Sequence, residues 1–280
     1  MYKIYLPSHW DISREDLLLL YNNLTPNESG IWRNIQLTNN LDESNFVLIL
    51  DSCNEQIPLN KPVIFLGREP AEVHFYDYKK SNLYLSFHHE RGETWLPQAW
   101  WISYSYDQLV NLKFNSLNKT KNLSAIDSGK QRLHNHKLRV TTIKELQSKC
   151  SDLIDVYGPI NNNPLPHRAK EDGLLNYRYN LCFENCNTDY YFSEKIVDPL
   201  LCWTMPIYYG CNKISKFLPP GSYIEVNPND STCVEQIKDI VNSDYFEQNI
   251  DAIAEARNLI LNQYNLLPTL HRAVNNKKIL

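Results

Sequence analysis

The sequence contains little glycine: only eight of its 280 residues. No two glycines have the spacing of GxGxxG or of the Walker phosphate-binding loop. This absence argues against dinucleotide-binding enzymes and P-loop kinases. A bound phosphate would instead need the free N–H groups of a helix N-terminus together with Lys or Arg side chains.

Long apolar runs are also missing, and nothing approaches the roughly 18 residues of a membrane span. The N-terminus lacks the basic and apolar regions of a signal peptide. We therefore predict no membrane span and a cytoplasmic location. The formal net charge is -4, with Lys and Arg scattered among a slight excess of acids, so nucleic acid is not an expected partner.

Metal-binding patterns are absent as well. The seven cysteines form no CxxC pair, and there is no Asp-x-Asp, HExxH or calcium loop. We predict reduced, mostly buried thiols and no metal ion. His88-His89-Glu90 comes nearest to a ligand cluster, but adjacent residues of a strand point to opposite faces.

Strand and helix patterns alternate along the chain, and the cycle occurs twice. A polar stretch without periodicity, residues 115–122, separates the two cycles and is typical of a linker. Such alternation predicts an α/β protein of two Rossmann-like, doubly wound lobes facing a central cleft. We expect an N-terminal lobe (1–115), a C-terminal lobe (123–245), and a C-terminal helix that packs back on the N-lobe (246–280). The predicted strands are 2–7, 46–50, 62–66, 83–87, 123–127, 153–157, 177–184, 206–209 and 222–226, and the predicted helices are 14–23, 138–150, one from 193, 233–242 and 246–263.

The segment 177–226 carries the most informative polar residues. Its first strand ends in Glu184-Asn185, and Ser193-Glu194-Lys195 begins the following helix. The N–H groups of a helix start, together with Lys195, form an electropositive site that suits a diphosphate. Glu194 could accept hydrogen bonds from sugar hydroxyls. An alternative is purely structural: Ser193 caps the helix, Glu194 complements its dipole and Lys195 is solvated.

The ordered motifs of this segment resemble the α-1,3/4-fucosyltransferases of glycosyltransferase family ten. The likeness extends more weakly upstream, to the helix that bears Arg139 and to Gly67-Arg68-Glu69-Pro70, and it covers roughly residues 60–230. The matching motifs are Phe183-Glu184-Asn185, Asp189-Tyr190, Ser193-Glu194-Lys195, Met205-Pro206-Ile207, Gly210 and Phe217-Leu218-Pro219.

The resemblance implies the GT-B fold and an inverting, metal-independent glycosyltransferase that moves a sugar from a nucleotide-diphosphate sugar to a hydroxyl of a glycan acceptor. It implies that 1–115 is the acceptor-side lobe and 123–245 the nucleotide-sugar-binding lobe. It implies that Glu69 is the catalytic base, acting across the cleft. The sequence leaves two alternatives: Glu69 is a surface residue paired with Arg68, or Glu90 or Glu93 in the next loop is the base. The donor-binding residues that it implies are Arg139, Glu184, Asn185, Tyr190, Ser193, Glu194 and Lys195.

Other features leave the donor and the acceptor open. The stretch from Pro199 to Thr204 replaces the small residues that are usual in the family, and this departure leaves the donor sugar open. The two candidates are fucose from GDP-fucose and xylose from UDP-xylose. A general likeness to the exostosin-like xylosyltransferase of large algal viruses, which is not based on motifs, keeps UDP-xylose open as the donor and would place the protein in a host cytoplasm. Trp95 and Trp100 could stack on an acceptor sugar, although domain packing explains them equally well. The alternative function is a non-catalytic glycan-binding protein with the same fold.

Overall fold

The computed structural model describes residues 1–8, 12–70, 80–88, 100–166 and 169–275. The chain divides into two compact units. The first unit comprises Met1–Ala99, Tyr104–Asn111 and Leu261–Leu280, and the second comprises Trp100–Ser103 and Leu112–Ile260.

The first unit contains a six-stranded sheet in the order β2-β3-β1-β4-β5-β6. The strand pairs are parallel except for β2 with β3. Every residue of the central strands β4 and β5, FVLIL and VIFLG, is buried, as expected for strands that are covered on both faces. The elements of this unit are β1 (Tyr2–Tyr5), α1 (Arg14–Asn22), β2 (Ile31–Trp32), β3 (Ile35–Thr38), β4 (Phe46–Leu50), β5 (Val63–Gly67), β6 (Leu83–His88), α2 (Tyr106–Asn111) and, after the second unit, α8 (Leu266–Asn275).

The second unit contains a five-stranded sheet in the order β11-β10-β9-β7-β8, and all its strand pairs are parallel. An α-helix connects β7 to β8 and another connects β9 to β10, whereas the connections from β8 to β9 and from β10 to β11 contain only short 3-10 turns. The elements are β7 (Lys121–Ile126), α3 (His134–Lys149), β8 (Ile154–Tyr157), β9 (Tyr177–Phe183), α4 (Glu194–Leu201), β10 (Met205–Tyr209), β11 (Ile224–Glu225), α5 (Cys233–Val241), α6 (Tyr245–Gln248) and α7 (Ile250–Leu259).

The strand order of the second sheet reverses between β7 and β9. From β7 the chain first moves outward to β8, then returns to the other side of β7 and continues through β9, β10 and β11. In open parallel sheets, ligands bind beyond the carboxyl ends of the strands at such a switch point. The residues that follow β7 and β9, beginning with Asp127 and Glu184, therefore occupy the place where a ligand is expected.

The prediction of two Rossmann-like α/β lobes is confirmed, and most strands lie where the sequence indicates. Two short strands of the first unit, β2 and β3, were not predicted, because β2 has only two residues and the four residues of β3 include two polar ones. In the described part of the chain no helix has both the length and the apolar character needed to cross a bilayer.

The ends of the second unit differ from the predicted boundaries. The unit begins again at Leu112, and its chain returns to the first unit only at Leu261. Phe246 stays in the second unit because its ring packs against Phe114 and Tyr179. The following residues form α6 and α7 and a π-helical turn (Ile260–Tyr264) instead of one continuous helix.

The polar stretch 115–122 is anchored in the second unit. Its Lys119 residue is half-buried, and the Nζ donates to the carbonyl oxygens of Leu174 and Cys202 and to Thr204 Oγ1, at 3.2, 2.8 and 2.7 Å. Burial lowers the pKa of Lys119 to about 7. These three acceptors hold a segment whose composition resembles that of a linker.

Candidate functional site

Arg139 joins the two strands that border the switch point. Its Nε donates to Asp127 Oδ1 at 2.5 Å, directly after β7, and its Nη1 donates to the carbonyl oxygen of Phe183 at 3.0 Å, at the end of β9. The Arg139 side chain is only 4% exposed, and the Asp127 side chain is fully buried. Neither hydrogen bond uses Nη2, so the guanidinium keeps donors for an anionic ligand.

Asp127 also shapes the loop between β7 and α3. Its Oδ2 accepts the N–H of Gly129 at 2.6 Å, and Gly129 has a φ of +72°, a conformation that favours glycine. Asp127 is a site residue that was not predicted from the sequence. Its signal was an acidic residue directly after an apolar strand, at the carboxyl edge where ligands bind.

His136 and Asn185 form a second link between α3 and the residues after β9. The His136 Nε2 lies 2.9 Å from Asn185 Oδ1, and His136 Nδ1 accepts the N–H of Leu133 at 3.3 Å. Because Nδ1 accepts, the proton of the neutral ring is on Nε2, which donates to Asn185. Burial lowers the pKa of His136, and the charges of Arg139 and Lys195 add to the effect.

Glu184 is fully enclosed and holds the start of α4. Its Oε1 accepts the N–H of Ser193 at 2.7 Å, and its Oε2 accepts the Ser193 hydroxyl at 2.6 Å. Burial raises the pKa of Glu184. A Cβ at position 210 would lie only 2.5 Å from the Glu184 Cγ, so a larger residue than glycine would collide with Glu184 there.

Two N–H groups at the start of α4 have partners within the protein. Glu184 accepts that of Ser193, and Ser193 Oγ accepts that of Lys195 at 3.3 Å. Fewer N–H groups are therefore available to a diphosphate than the sequence predicts. A diphosphate at this helix start would depend more on side chains. Pro199 lies inside α4, which ends two residues later at Leu201.

Lys195 supplies the positive side chain at this edge. Its Nζ lies 3.2 Å from Ser193 Oγ, 3.4 Å from Glu194 Oε1 and 3.8 Å from Glu184 Oε2. The Lys195 and Glu194 side chains are 23% and 22% exposed, so both remain accessible to a ligand. Burial acts to raise the pKa of Glu194, but Lys195 and Lys170 outweigh it and lower the value to about 2.

The structure thus brings most of the predicted donor residues of the second unit together in two linked groups. Arg139 and Asn185 belong to the group around β7 and α3, whereas Glu184, Ser193, Glu194 and Lys195 surround the start of α4. Tyr190 is half-buried and lies against Phe217, with ring centroids 6.5 Å apart, and Lys216 Nζ lies 5.6 Å from its ring centroid.

In the first unit, Glu69 lies two residues beyond β5, as the sequence predicts. Asp51 holds the backbone there: its Oδ1 accepts the N–H of Arg68 at 2.5 Å and that of Glu69 at 3.3 Å. The Arg68 guanidinium pairs with Asp51 Oδ2 at 2.7 Å. Arg68 is thus an ion-pair partner of Asp51, and Glu69 is partly exposed.

The remaining predictions concern the loop after β6. Glu90, Glu93 and Trp95 lie outside the described residues. Trp100 belongs to the second unit and is only 2% exposed, so in this structure its ring offers no face to an acceptor sugar. Within the described ranges, no group of three or more His, Cys, Asp or Glu residues could hold a metal ion.

Most of the second unit is similar to known sequences. Residues 117–244 match the family model described as glycosyltransferase family 10 (fucosyltransferase) C-term. The 3-galactosyl-N-acetylglucosaminide 4-alpha-L-fucosyltransferase FUT3 of Bos taurus is 29% identical over 151 residues, which are 52% of this chain and 38% of the relative. The alpha-(1,3)-fucosyltransferase FucT of Helicobacter pylori is 37% identical over 73 residues, 25% of this chain and 15% of the relative. The chain therefore spans less than half the length of either relative.

Solved structures share the fold over nearly the whole chain. An alpha1,3-fucosyltransferase solved with GDP has a TM-score of 0.56 and 18% identity, covering 93% of this chain and 90% of its own. Anabaena Alr3699/HepE in complex with UDP-glucose has a TM-score of 0.56 and 10% identity, covering 100% of both chains. These neighbours have the GT-B fold. The chain thus has the GT-B fold, and its residues 117–244 resemble the fucosyltransferases of glycosyltransferase family 10.

Proposed function

We propose that the protein is a glycosyltransferase that moves fucose from GDP-fucose to a hydroxyl of a glycan, with inversion and without a metal ion. One observation carries this proposal: Arg139 and the Ser193-Glu194-Lys195 motif lie at the carboxyl edge of the second sheet, within the residues that match the family model. The matched relatives are fucosyltransferases, and a structural neighbour was solved with GDP-fucose. These matches lend no support to the alternative donor, UDP-xylose.

Lys195 and Arg139 are the groups that we assign to the leaving diphosphate. When the bond between the sugar and the diphosphate breaks, negative charge grows on the departing phosphate oxygens. Fixed positive groups that meet this charge stabilise the transition state more than the ground state. Arg139 is held by Asp127 and the Phe183 carbonyl, so it needs little reorganisation during the reaction.

Glu69 is the group that we assign to the acceptor. Its carboxylate would take the proton of the acceptor hydroxyl as that oxygen attacks the anomeric carbon and the diphosphate departs. The single displacement inverts the anomeric configuration. Asp51 supports this role because its carboxylate fixes the backbone of Arg68 and Glu69.

Nucleotide binding and sugar transfer together test the proposal. Without added metal, we expect GDP and GDP-fucose to raise the melting temperature, and GDP-fucose to be the preferred donor over UDP-xylose in a transfer assay with a panel of glycan acceptors. Stabilisation by oligosaccharides alone, without any nucleotide effect or turnover, would instead identify a glycan-binding protein.

A further inference from the structure

Lys170 places its ammonium group between two carboxylates of α4. It lies at the start of a short 3-10 turn (Lys170–Gly173) that precedes β9. Its Nζ lies 2.9 Å from Asp198 Oδ2 and 3.5 Å from Glu194 Oε1. Glu194 and Asp198 are four residues apart, so they share one face of the helix, and Lys170 bridges them from outside it.

Glu194 is held through one of its two oxygens. The Lys170 and Lys195 ammonium groups both contact Oε1, at 3.5 and 3.4 Å, and neither ion pair uses Oε2. The carboxylate is therefore restricted in its orientation, while Oε2 keeps its capacity to accept hydrogen bonds. A binding group held in this way loses less conformational entropy when a ligand arrives.

Asp198 fixes Lys170 in turn. The Asp198 side chain is only 1% exposed, and both of its oxygens have partners: Oδ2 meets Lys170, and Oδ1 accepts the N–H of Trp101 at 2.9 Å. A buried carboxylate of this kind is strongly destabilising when its partner is removed. Lys170 therefore has an anchor at 2.9 Å that is independent of any ligand.

We propose that Lys170, anchored by Asp198, is a positioning residue that orients Glu194 so that its Oε2 accepts hydrogen bonds from hydroxyl groups of the sugar-bearing donor. This inference rests on the proposed function, because it concerns the donor site of that reaction. Lys170 lies outside the motifs that indicated the site in the sequence, and only its contacts with α4 connect it to Glu194.

A purely electrostatic role for Lys170 predicts different behaviour. Lys170→Met removes a positive charge, whereas Asp198→Asn removes a negative one. If only charge matters, the first substitution weakens the binding of an anionic donor and the second strengthens it. If positioning matters, both substitutions weaken donor binding, since each breaks the contact that holds Lys170 on α4.

Calorimetric titration of the full chain with GDP-fucose and with inorganic pyrophosphate separates these cases. We expect Lys170→Met and Asp198→Asn each to raise the Kd for GDP-fucose roughly five- to tenfold, the value of one ordinary hydrogen bond, because Glu194 is still present but less well oriented. Pyrophosphate has no sugar hydroxyl groups, so its Kd should respond to charge alone. Lys170→Met should raise the Kd for pyrophosphate, and Asp198→Asn should lower it. Lys170→Arg should bind GDP-fucose like wild type, and Lys149→Met, at an exposed lysine of α3, serves as the control.

A double-mutant cycle between Lys170 and Glu194 completes the test and needs no variant at Asp198. In a Glu194→Gln background, adding Lys170→Met should raise the Kd for GDP-fucose only by the factor that it causes with pyrophosphate, because the rest of its effect acts through Glu194. Additive effects, or tighter GDP-fucose binding by Asp198→Asn, would overturn the positioning role alone. If the wild-type chain binds neither GDP-fucose nor another nucleotide sugar, the proposed function fails and this inference with it. Melting temperatures establish that each variant is folded.

Discussion

Arg139 and Asp127 form a buried ion pair at the switch point of the second sheet, with Nε and Oδ1 2.5 Å apart. One oxygen of the carboxylate, Oδ1, holds the guanidinium. The other, Oδ2, accepts the N–H of Gly129 and so holds the loop after β7. The pair therefore couples the shape of the ligand-binding edge to the position of the cation that we assign to the diphosphate.

Breaking this pair should be costly. Asp127→Ala leaves Arg139 buried without its carboxylate, and loss of one partner of a buried ion pair typically costs about 3–5 kcal/mol. We expect a correspondingly lower free energy of unfolding in urea, together with weaker GDP binding. Asp239→Ala, at an exposed aspartate of α5, should leave both measurements unchanged. Equal stability of the two variants would contradict the structural role of Asp127.

Lys195→Ala should weaken the binding of GDP by roughly tenfold or more, since a charge-assisted contact contributes about 1.5–3 kcal/mol. Turnover should fall by at least the same factor, because the lost charge also stabilises the departing diphosphate. Titration with GDP and initial rates with GDP-fucose measure the two effects. Lys149→Ala on α3 is the matched control. Unchanged kinetics would return Lys195 to a structural role at the start of α4.

Glu69→Gln should separate binding from chemistry. Loss of a general base lowers turnover by roughly 10²- to 10⁴-fold, whereas binding of the donor is largely retained. We therefore expect the Kd for GDP-fucose to match that of wild type while kcat falls about a hundredfold or more. The control is Glu43→Gln, at an exposed glutamate of the first unit. Normal turnover would eliminate Glu69 as the base and direct the search to Glu90 and Glu93.

His136 should make the protein less stable in mild acid. Its pKa is lowered in the folded protein, chiefly by burial, so below pH 6.5 the unfolded chain takes up a proton more readily than the folded one. The stability that is present above this pH is therefore lost progressively as the pH falls.

Unfolding midpoints between pH 5 and 8 measure this dependence. His136→Gln should flatten the acid side of the profile. His134→Gln is a close control, because His134 lies on the same turn of α3 and is exposed. Identical profiles for wild type and His136→Gln would show that His136 does not contribute.

Transfer of fucose should persist in EDTA. We assign the diphosphate charge to Lys195 and Arg139, so chelation should leave initial rates with GDP-fucose unchanged. The measurement compares rates in EDTA with rates after Mg²⁺ or Mn²⁺ is restored. Loss of activity in the chelator and its recovery with metal would overturn this assignment.

The arrangement of the site could be predicted only in part. The motifs around Glu184 and Ser193 correctly indicated the carboxyl edge of β9 and the start of α4, because short polar groups there follow directly on strongly apolar strands. The hydrogen-bond partners of Glu184 could not be predicted. Whether a carboxylate faces a ligand or accepts two hydrogen bonds from Ser193 depends on a loop that no periodicity describes.

The sequence by itself determined the two α/β units, because period-two and period-3.6 apolar patterns are local and each strand or helix displays its own. It also determined which edge of the second sheet carries the polar motifs. Only the tertiary structure decided the partners of these motifs. The contact of His136 with Asn185 joins residues 49 positions apart, and that of Lys170 with Asp198 joins residues 28 apart. Such pairs form where strand order and helix packing bring distant segments together, and burial then makes each charge depend on the partner that it meets.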